Sequence, residues 1–498
     1  MKQSPKTESV VDLMWRPNPE QKMNFLDVSR RHFFRQGLGL SAVGLSTLLA
    51  SDSPMAQEPD DGHLLPRRSP HFGPRAKSVI HLHMIGAPSQ IDMLDPKPVL
   101  SDRHGENCPE ALLDGLKLAF IGDKKVLAGS PFRFSKQGNA GLDVVEHLPC
   151  LGGVADELCV IRGLHTDEIN HAPAQMFMHS GFGRGGRPAL GAWTTYGLGS
   201  ENENLPAYVV LLSGPAGGAG SQLWSSGFLP SMHQGVRFRS SGDPVLYLSN
   251  PAGRSREDGR RLLDTVNGLN SLRLAETEDP EIATRISQYE MAFRMQASVP
   301  DLTDLSTETV ETLELYGVEP GKPSFAANCL LARRLIERGV RFVQLFDSDW
   351  DHHGNLKIRL PAKCRDVDQG MAALVADLRR RGLLDETLVV WGGEFGRTPL
   401  AQGNADTPTT KKREPGRDHH KDAFTMWLAG GGTRPGTIYG STDELGFSIT
   451  ENPVHVHDLN ATILQLLGFD HTKLTFRHQG RNYRLTDVHG DVVRDILL

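Results

Sequence analysis

The run Thr387-Leu388-Val389-Val390-Trp391 empties into Gly392-Gly393-Glu394-Phe395-Gly396-Arg397-Thr398-Pro399. Its apolar and β-branched residues read as a buried strand, and the two glycines after it let the backbone approach a ligand closely. Glu394 follows those glycines. On either side lie two polar motifs, Trp350-Asp351-His352-His353-Gly354-Asn355 and Gly416-Arg417-Asp418-His419-His420. Carboxylates and imidazoles just past strand ends are what a divalent-metal site in an open α/β sheet requires, because such sheets bind ligands beyond the carboxyl ends of their strands. Carboxylate oxygen with neutral imidazole nitrogen is a normal ligand set for zinc, manganese or iron.

Outward from this stretch, apolar periodicity alternates between helix and strand. A helix over 325–338 feeds a strand over 340–346, and a helix over 362–381 feeds the strand at 388–391. A strand over 423–429 precedes a helix over 459–467. Such alternation predicts an α/β fold with a doubly wound, mostly parallel sheet. Earlier strands are expected at 78–84, 158–161 and 207–212. The first ends in the polar turn Gly86-Ala87-Pro88-Ser89-Gln90-Ile91-Asp92. Residues 231–320 read as an insertion into a domain spanning 78–498, with a charged helical stretch over 254–295. No internal repeat or low-complexity tract is present.

The chain has 498 residues, a formal net charge of −6, five cysteines and twenty histidines. The mild acidity and the lack of a basic block exclude nucleic acid as an expected partner. The cysteines form no Cys-x-x-Cys pair, so neither a disulfide scaffold nor a zinc finger is expected. Near the N-terminus, Ser29-Arg30-Arg31-His32-Phe33-Phe34-Arg35 precedes a weakly apolar stretch over 38–50. That order is similar to a twin-arginine export signal, with 1–56 as signal and processing region and 57–77 as linker. It implies a periplasmic or otherwise exported protein that meets the twin-arginine machinery. Membrane contact would come only through this segment if it stays uncleaved.

Three stretches carry a family resemblance. The first, 387–396, resembles the late strand of sulfatases that ends in an acidic metal ligand, and Glu394 falls on that ligand. The second, Ala423-Phe424-Thr425-Met426-Trp427-Leu428-Ala429-Gly430-Gly431-Gly432, resembles the strand after the last histidine ligand of the alkaline phosphatase superfamily. The third, 454–468, resembles its closing helix. From Ser78 to the C-terminus the chain resembles a twin-arginine-exported, sulfatase-like branch of that superfamily, domain of unknown function 1501. The resemblance implies an alkaline phosphatase-like fold, a divalent metal (zinc or manganese favoured over calcium) and an anionic ester substrate such as a sulfated polysaccharide.

Asp351 and His353 lie two apart, so in an extended segment both can face one side as ligands; the alternative is a helix-capping Asp and a surface His. Asp418, His419 and His420 precede a strand, and His419 is the expected ligand of the three, with Asp418 beside it. Asp92 falls in the region of the superfamily's early Asp ligand, several residues beyond the strand end. Arg397 could pair bidentately with an oxyanion or with a nearby carboxylate. His81, His83 and His179 read as structural.

The nucleophile position departs from the family. Sulfatases carry Cys-x-Pro-Ser-Arg at a helix start, whereas this chain reads His171-Ala172-Pro173-Ala174-Gln175, with Ser180-Gly181 closing the helix. His171 is open to three roles there, ligand, general acid or nucleophile; the alternative is a buried structural histidine capping its helix. The leading expectation is a metal-dependent hydrolase of sulfate or phosphate esters in which activated water replaces the side-chain nucleophile. The alternative is an exported non-catalytic protein that binds an anionic polysaccharide or a partner protein.

Overall fold

The computed structural model describes residues 65 and 68–498, except 116, 122–124, 240–243, 246–249, 251–252 and 403–414. The export-signal reading on Arg30 and Arg31 lies outside the described residues, as does the start of the linker. No helix of the described residues is long and apolar enough to cross a membrane.

The expected alternation forms one nine-stranded sheet. In chain order the strands and the helices around them are β1 (Ser78–Met84), β2 (Leu158–His165), α1 (His171–Ser180), β3 (Tyr208–Ser213), β4 (Val236–Phe238), α2 (Arg256–Thr277) and α3 (Pro280–Thr303). Then come α4 (Phe325–Glu337), β5 (Phe342–Asp347), α5 (Leu356–Arg380), β6 (Thr387–Gly392), β7 (Gly396–Gln402), β8 (Gly416–His420), β9 (Phe424–Ala429), β10 (Thr437–Tyr439), β11 (Val454–His455) and α6 (Val456–Leu466). The sheet order is β10-β2-β9-β6-β1-β5-β3-β4, with β11 also on β2. β1 is central and runs parallel to both neighbours, pairing Ile80 with Val343 and with Val389. Only β9 runs against its neighbours β2 and β6. The reason is local: parallel strands need a long crossover, usually a helix, and β6 reaches β9 through the antiparallel hairpin β7–β8 instead.

All of β1 is buried, and its alternation divides the core. Ile80, Leu82 and Met84 join the cluster that takes in α4 and α5. Val79 joins the opposite cluster, with Phe177 and Met178 of α1 and Leu459 and Ile463 of α6. His81 and His83 necessarily share the Val79 face. Two differences from the periodicity reading have plain causes. The stretch expected as one helix over 254–295 is two, because Asp279 caps a new helix and Pro280 sits at its first turn, where its missing N–H costs nothing. Helix α5 starts two turns before the expected residue, at Leu356, and carries Pro361 in its interior.

Candidate metal centre

Strand ends deliver the side chains to one edge of the sheet. β5 ends at Asp347, and the turn beyond it brings up Asp351 and His353. β6 ends at Gly392 and presents Glu394. β2 ends at His165, and the loop after it starts α1 with His171. The hairpin β7–β8 carries Arg397 and His419. Gly86, just past β1, makes the close approach possible. It adopts φ +109°, and a Cβ there would stand 2.4 Å from the Asp351 backbone nitrogen, so only glycine fits.

His171, Asp351, His353 and His419 offer four potential ligand atoms that lie within 4.8 Å of one another. Asp351 Oδ1 is the hub. It lies 2.9 Å from His353 Nε2, 3.3 Å from His171 Nε2 and 3.6 Å from His419 Nε2. Tetrahedral donors about 2.1 Å from a zinc ion would stand about 3.4 Å apart, and these contacts bracket that spacing.

The far nitrogen of each imidazole has its own oxygen. His171 Nδ1 lies 2.7 Å from Glu394 Oε1, and His419 Nδ1 lies 2.8 Å from the Ile169 carbonyl oxygen. His353 Nδ1 meets Gln402 Oε1. An oxygen acceptor at Nδ1 places the proton there and leaves the Nε2 lone pair facing inward. His171 Nε2 and His419 Nε2 are buried and have no hydrogen-bond partner of their own among the described residues. Inward lone pairs facing an anionic oxygen repel unless a proton or a cation lies between them. That orphaned, converging donor set fits a divalent cation.

The same contacts shift the charges of the cluster. Burial opposes charge on His171, but the facing carboxylates of Asp351 and Glu394 outweigh burial and raise it to about 9. Burial alone would raise Asp351, yet the facing imidazoles of His171, His353 and His419 and the Arg397 charge hold it far below the usual carboxylate range. Glu394 is fully buried, which would raise it, and the bond with His171 and the facing His83 ring bring it below that range. His419 is lowered, chiefly by burial.

Glu394 stands one step behind the donor set rather than in it. Its Oε1 accepts from Gly86 N at 3.1 Å and from Gln175 Nε2 at 2.9 Å as well as meeting His171. The sequence reading marked Gln175 only as a departure from the sulfatase Arg and gave it no partner. Arg397 is buried and donates to Asp351 Oδ1 at 2.6 Å, to the Ala87 and Arg417 carbonyls at 3.0 and 3.1 Å, and to the Gly86 carbonyl. Of its two open partners, it has the carboxylate.

Two further expected ligands lie outside the converging set. Asp92 is buried and takes the Arg417 guanidinium at 2.6 and 3.1 Å. Asp418 is buried too; its Oδ2 accepts from Ala119, Phe120 and Ile121 N at 3.0, 2.8 and 3.1 Å. That anchor sets the exposed Phe120 ring edge-on to His353 and His419, with centroids 5.3 Å away in each case. The sequence spacing gave no sign of either arrangement.

The family model described as "Protein of unknown function (DUF1501)" matches residues 76–497. No curated protein matches the chain. Similar solved structures include a protein in the alkaline phosphatase superfamily from Vibrio parahaemolyticus, at 10% identity over 88% of this chain and 78% of that chain, TM-score 0.33. Another is the phosphonate monoester hydrolase SpPMH from Silicibacter pomeroyi, at 11% identity over 84% and 76%, TM-score 0.33. A third is the PsFucS1 sulfatase from Pseudoalteromonas sp., at 12% identity over 82% and 74%, TM-score 0.34.

Proposed function

The chain belongs to the DUF1501 family of proteins of unknown function, and from its site we propose that it is an exported, metal-dependent hydrolase of sulfate or phosphate esters. One observation carries this reading. Three imidazoles have their Nδ1 atoms fixed on oxygen acceptors and their Nε2 atoms gathered around Asp351 Oδ1. His171, His353, His419 and Asp351 would hold the ion. Three nitrogens and one oxygen suit zinc or manganese better than calcium, which takes oxygen ligands. A divalent ion held there supplies Lewis acidity toward the ester and lowers the pKa of water toward about 7.

The chain's own groups have separable roles. Glu394 fixes the His171 ring, and Gln402 and the Ile169 carbonyl do the same for His353 and His419. Arg397 holds Asp351 in place by a charge-assisted bond. His171 stands at the family's nucleophile position with Nδ1 committed to Glu394, and its Nε2 belongs to the donor set. The role of ligand therefore suits it better than that of acid or nucleophile. The substrate class comes from the superfamily motifs in the sequence, and export rests on Arg30-Arg31.

Metal analysis of the purified mature protein, followed by chromogenic sulfate, phosphate and carboxylic esters, tests the reading. About one equivalent of zinc or manganese with metal-dependent turnover of an anionic ester is expected. A protein that binds no divalent ion in any buffer would overturn it. A second reading is favoured by the nucleophile turn itself, His171 to Gln175, which has no Cys, Ser or Thr. It is an exported, non-catalytic protein that binds an anionic polysaccharide. Bound metal without turnover of any ester would select it.

A further inference from the structure

We propose that His83 is a positioning residue for the metal site, acting through Glu394 to hold His171 in its ligand orientation. The inference rests on the metal-site reading above. His83 sits near the end of β1, on the face it shares with Val79 and His81, and is fully buried. Its Nε2 lies 3.3 Å from Glu394 Oε2. That is long for an N–H···O bond, which clusters at about 2.9–3.0 Å. It is nevertheless the one polar contact of this ring among the described residues, where neither nitrogen has a hydrogen-bond partner. The ring itself is fixed edge-on by His179 at 4.5 Å and Phe346 at 5.6 Å between centroids.

The need for such a residue follows from how Glu394 is shared. Its Oε1 faces Gly86 N, Gln175 Nε2 and His171 Nδ1. Its Oε2 faces His83 and, at 3.4 Å, the same Gly86 N. The last torsion of a Glu side chain is broad and two-fold, and Gly86 N touches both oxygens, so it does not set that torsion. Gln175 and His171 pull on one oxygen only. His83 on the other fixes the plane of the carboxylate and aims Oε1 at His171 Nδ1. Burying an imidazole with so few partners costs stability, and the orientation of His171 is the return for that cost in the fold.

Zinc and manganese dissociation constants, measured in chelator buffers, test the inference. His83→Leu should weaken metal binding by about 10- to 100-fold, the usual effect of losing a group that orients a ligand. His83→Gln, whose amide nitrogen reaches the Nε2 position, should restore most of that affinity. His83→Asn, whose amide nitrogen falls near Nδ1, should not. The Gln and Asn pair keeps the test decisive if the Leu variant folds poorly. His179→Leu packs against the same ring without touching Glu394, so it should lower thermal stability and leave metal affinity within about threefold. In a His171→Ala background, adding His83→Leu should change affinity by less than about threefold, because the path runs through His171. A wild-type protein that binds metal while His83→Leu or His83→Asn binds equally well would overturn this inference alone, as would losses that simply add in the double variant. A wild-type protein that binds no metal overturns the site reading and this inference together.

Discussion

Two groups of three histidines meet at Glu394, and they are built to opposite rules. In the outer group, His171, His353 and His419 each have an oxygen at Nδ1 and turn Nε2 toward Asp351. In the inner group, His81, His83 and His179 pack ring against ring, with centroids 4.5 to 5.8 Å apart. Among the described residues His81 has no partner at either nitrogen, and His179 meets only the Gln344 amide nitrogen. Gathering imidazoles is therefore not what makes a metal site. The site is made where the remote nitrogen is spoken for, so that the near one has a fixed lone pair. The inner group instead fills core beside Phe346, and one member reaches forward to brace the carboxylate.

The largest expected difference between the groups is in metal-dependent stability. A metal present at 100 times its dissociation constant adds about 2.7 kcal/mol to the folded state. His353→Ala and Asp351→Asn should each abolish that increment, seen as loss of the metal-induced rise in Tm. His81→Leu should keep the rise, whatever it does to the Tm of the metal-free protein. If His81→Leu lost the rise as completely as His353→Ala, the division into two groups would fail.

A second, smaller contrast is in pH. In the metal-free protein His171 has a folded pKa of about 9, above its ordinary value of about 6.5. Its contribution is fully present below about pH 6.5 and is lost as pH rises toward 9. His81 is the reverse: burial, then the neighbouring His83, lower it to about 3. Its contribution is present above about pH 6.5 and is lost as pH falls toward 3. Denaturant unfolding of metal-free protein should therefore show an alkaline slope that His171→Ala removes and an acid slope that His81→Leu removes. Slopes unchanged by both substitutions would show that neither ring carries the linkage.

Much of this arrangement was legible in the sequence. The apolar runs around residues 80, 343 and 389 alternate with helices of the right length, and that pattern forces a parallel sheet with polar strand ends on one edge. Asp351, His353 and His419 follow strand ends or lead into one, so their convergence could be expected. His171 was visible only because the family frame marks its position. The roles of Glu394, Asp92 and Asp418 were not legible, since a buried carboxylate beside a metal ligand has the same sequence signature whether it binds an ion, an arginine or a row of backbone amides. Their actual partners come from residues about 220 to 330 positions away (Glu394 with His171 and Gln175, Asp92 with Arg417, Asp418 with Ala119, Phe120 and Ile121). No local spacing encodes such pairings.

The smallest effect on metal is expected at Asp418, although it adjoins His419 in the chain. Its carboxylate contributes no atom to the donor set. Oδ2 gathers three consecutive backbone N–H groups at 119–121, and Oδ1 takes the His419 N–H at 2.9 Å. In Asp418→Asn the amide oxygen can keep one of these two sets, while the new NH₂ faces donors on the other side. A buried donor left without an acceptor costs about 1–3 kcal/mol, so thermal stability should fall with or without metal. The segment carrying Phe120 should loosen from His353 and His419, which amide hydrogen exchange at Phe120 would report. Metal affinity should stay within about threefold of the parent, because Nδ1 of His419 keeps its Ile169 carbonyl and Nε2 still faces Asp351. Loss of metal from Asp418→Asn as complete as from Asp351→Asn would put Asp418 among the ligands and redraw the boundary between the residues that hold an ion and those that hold the chain around it.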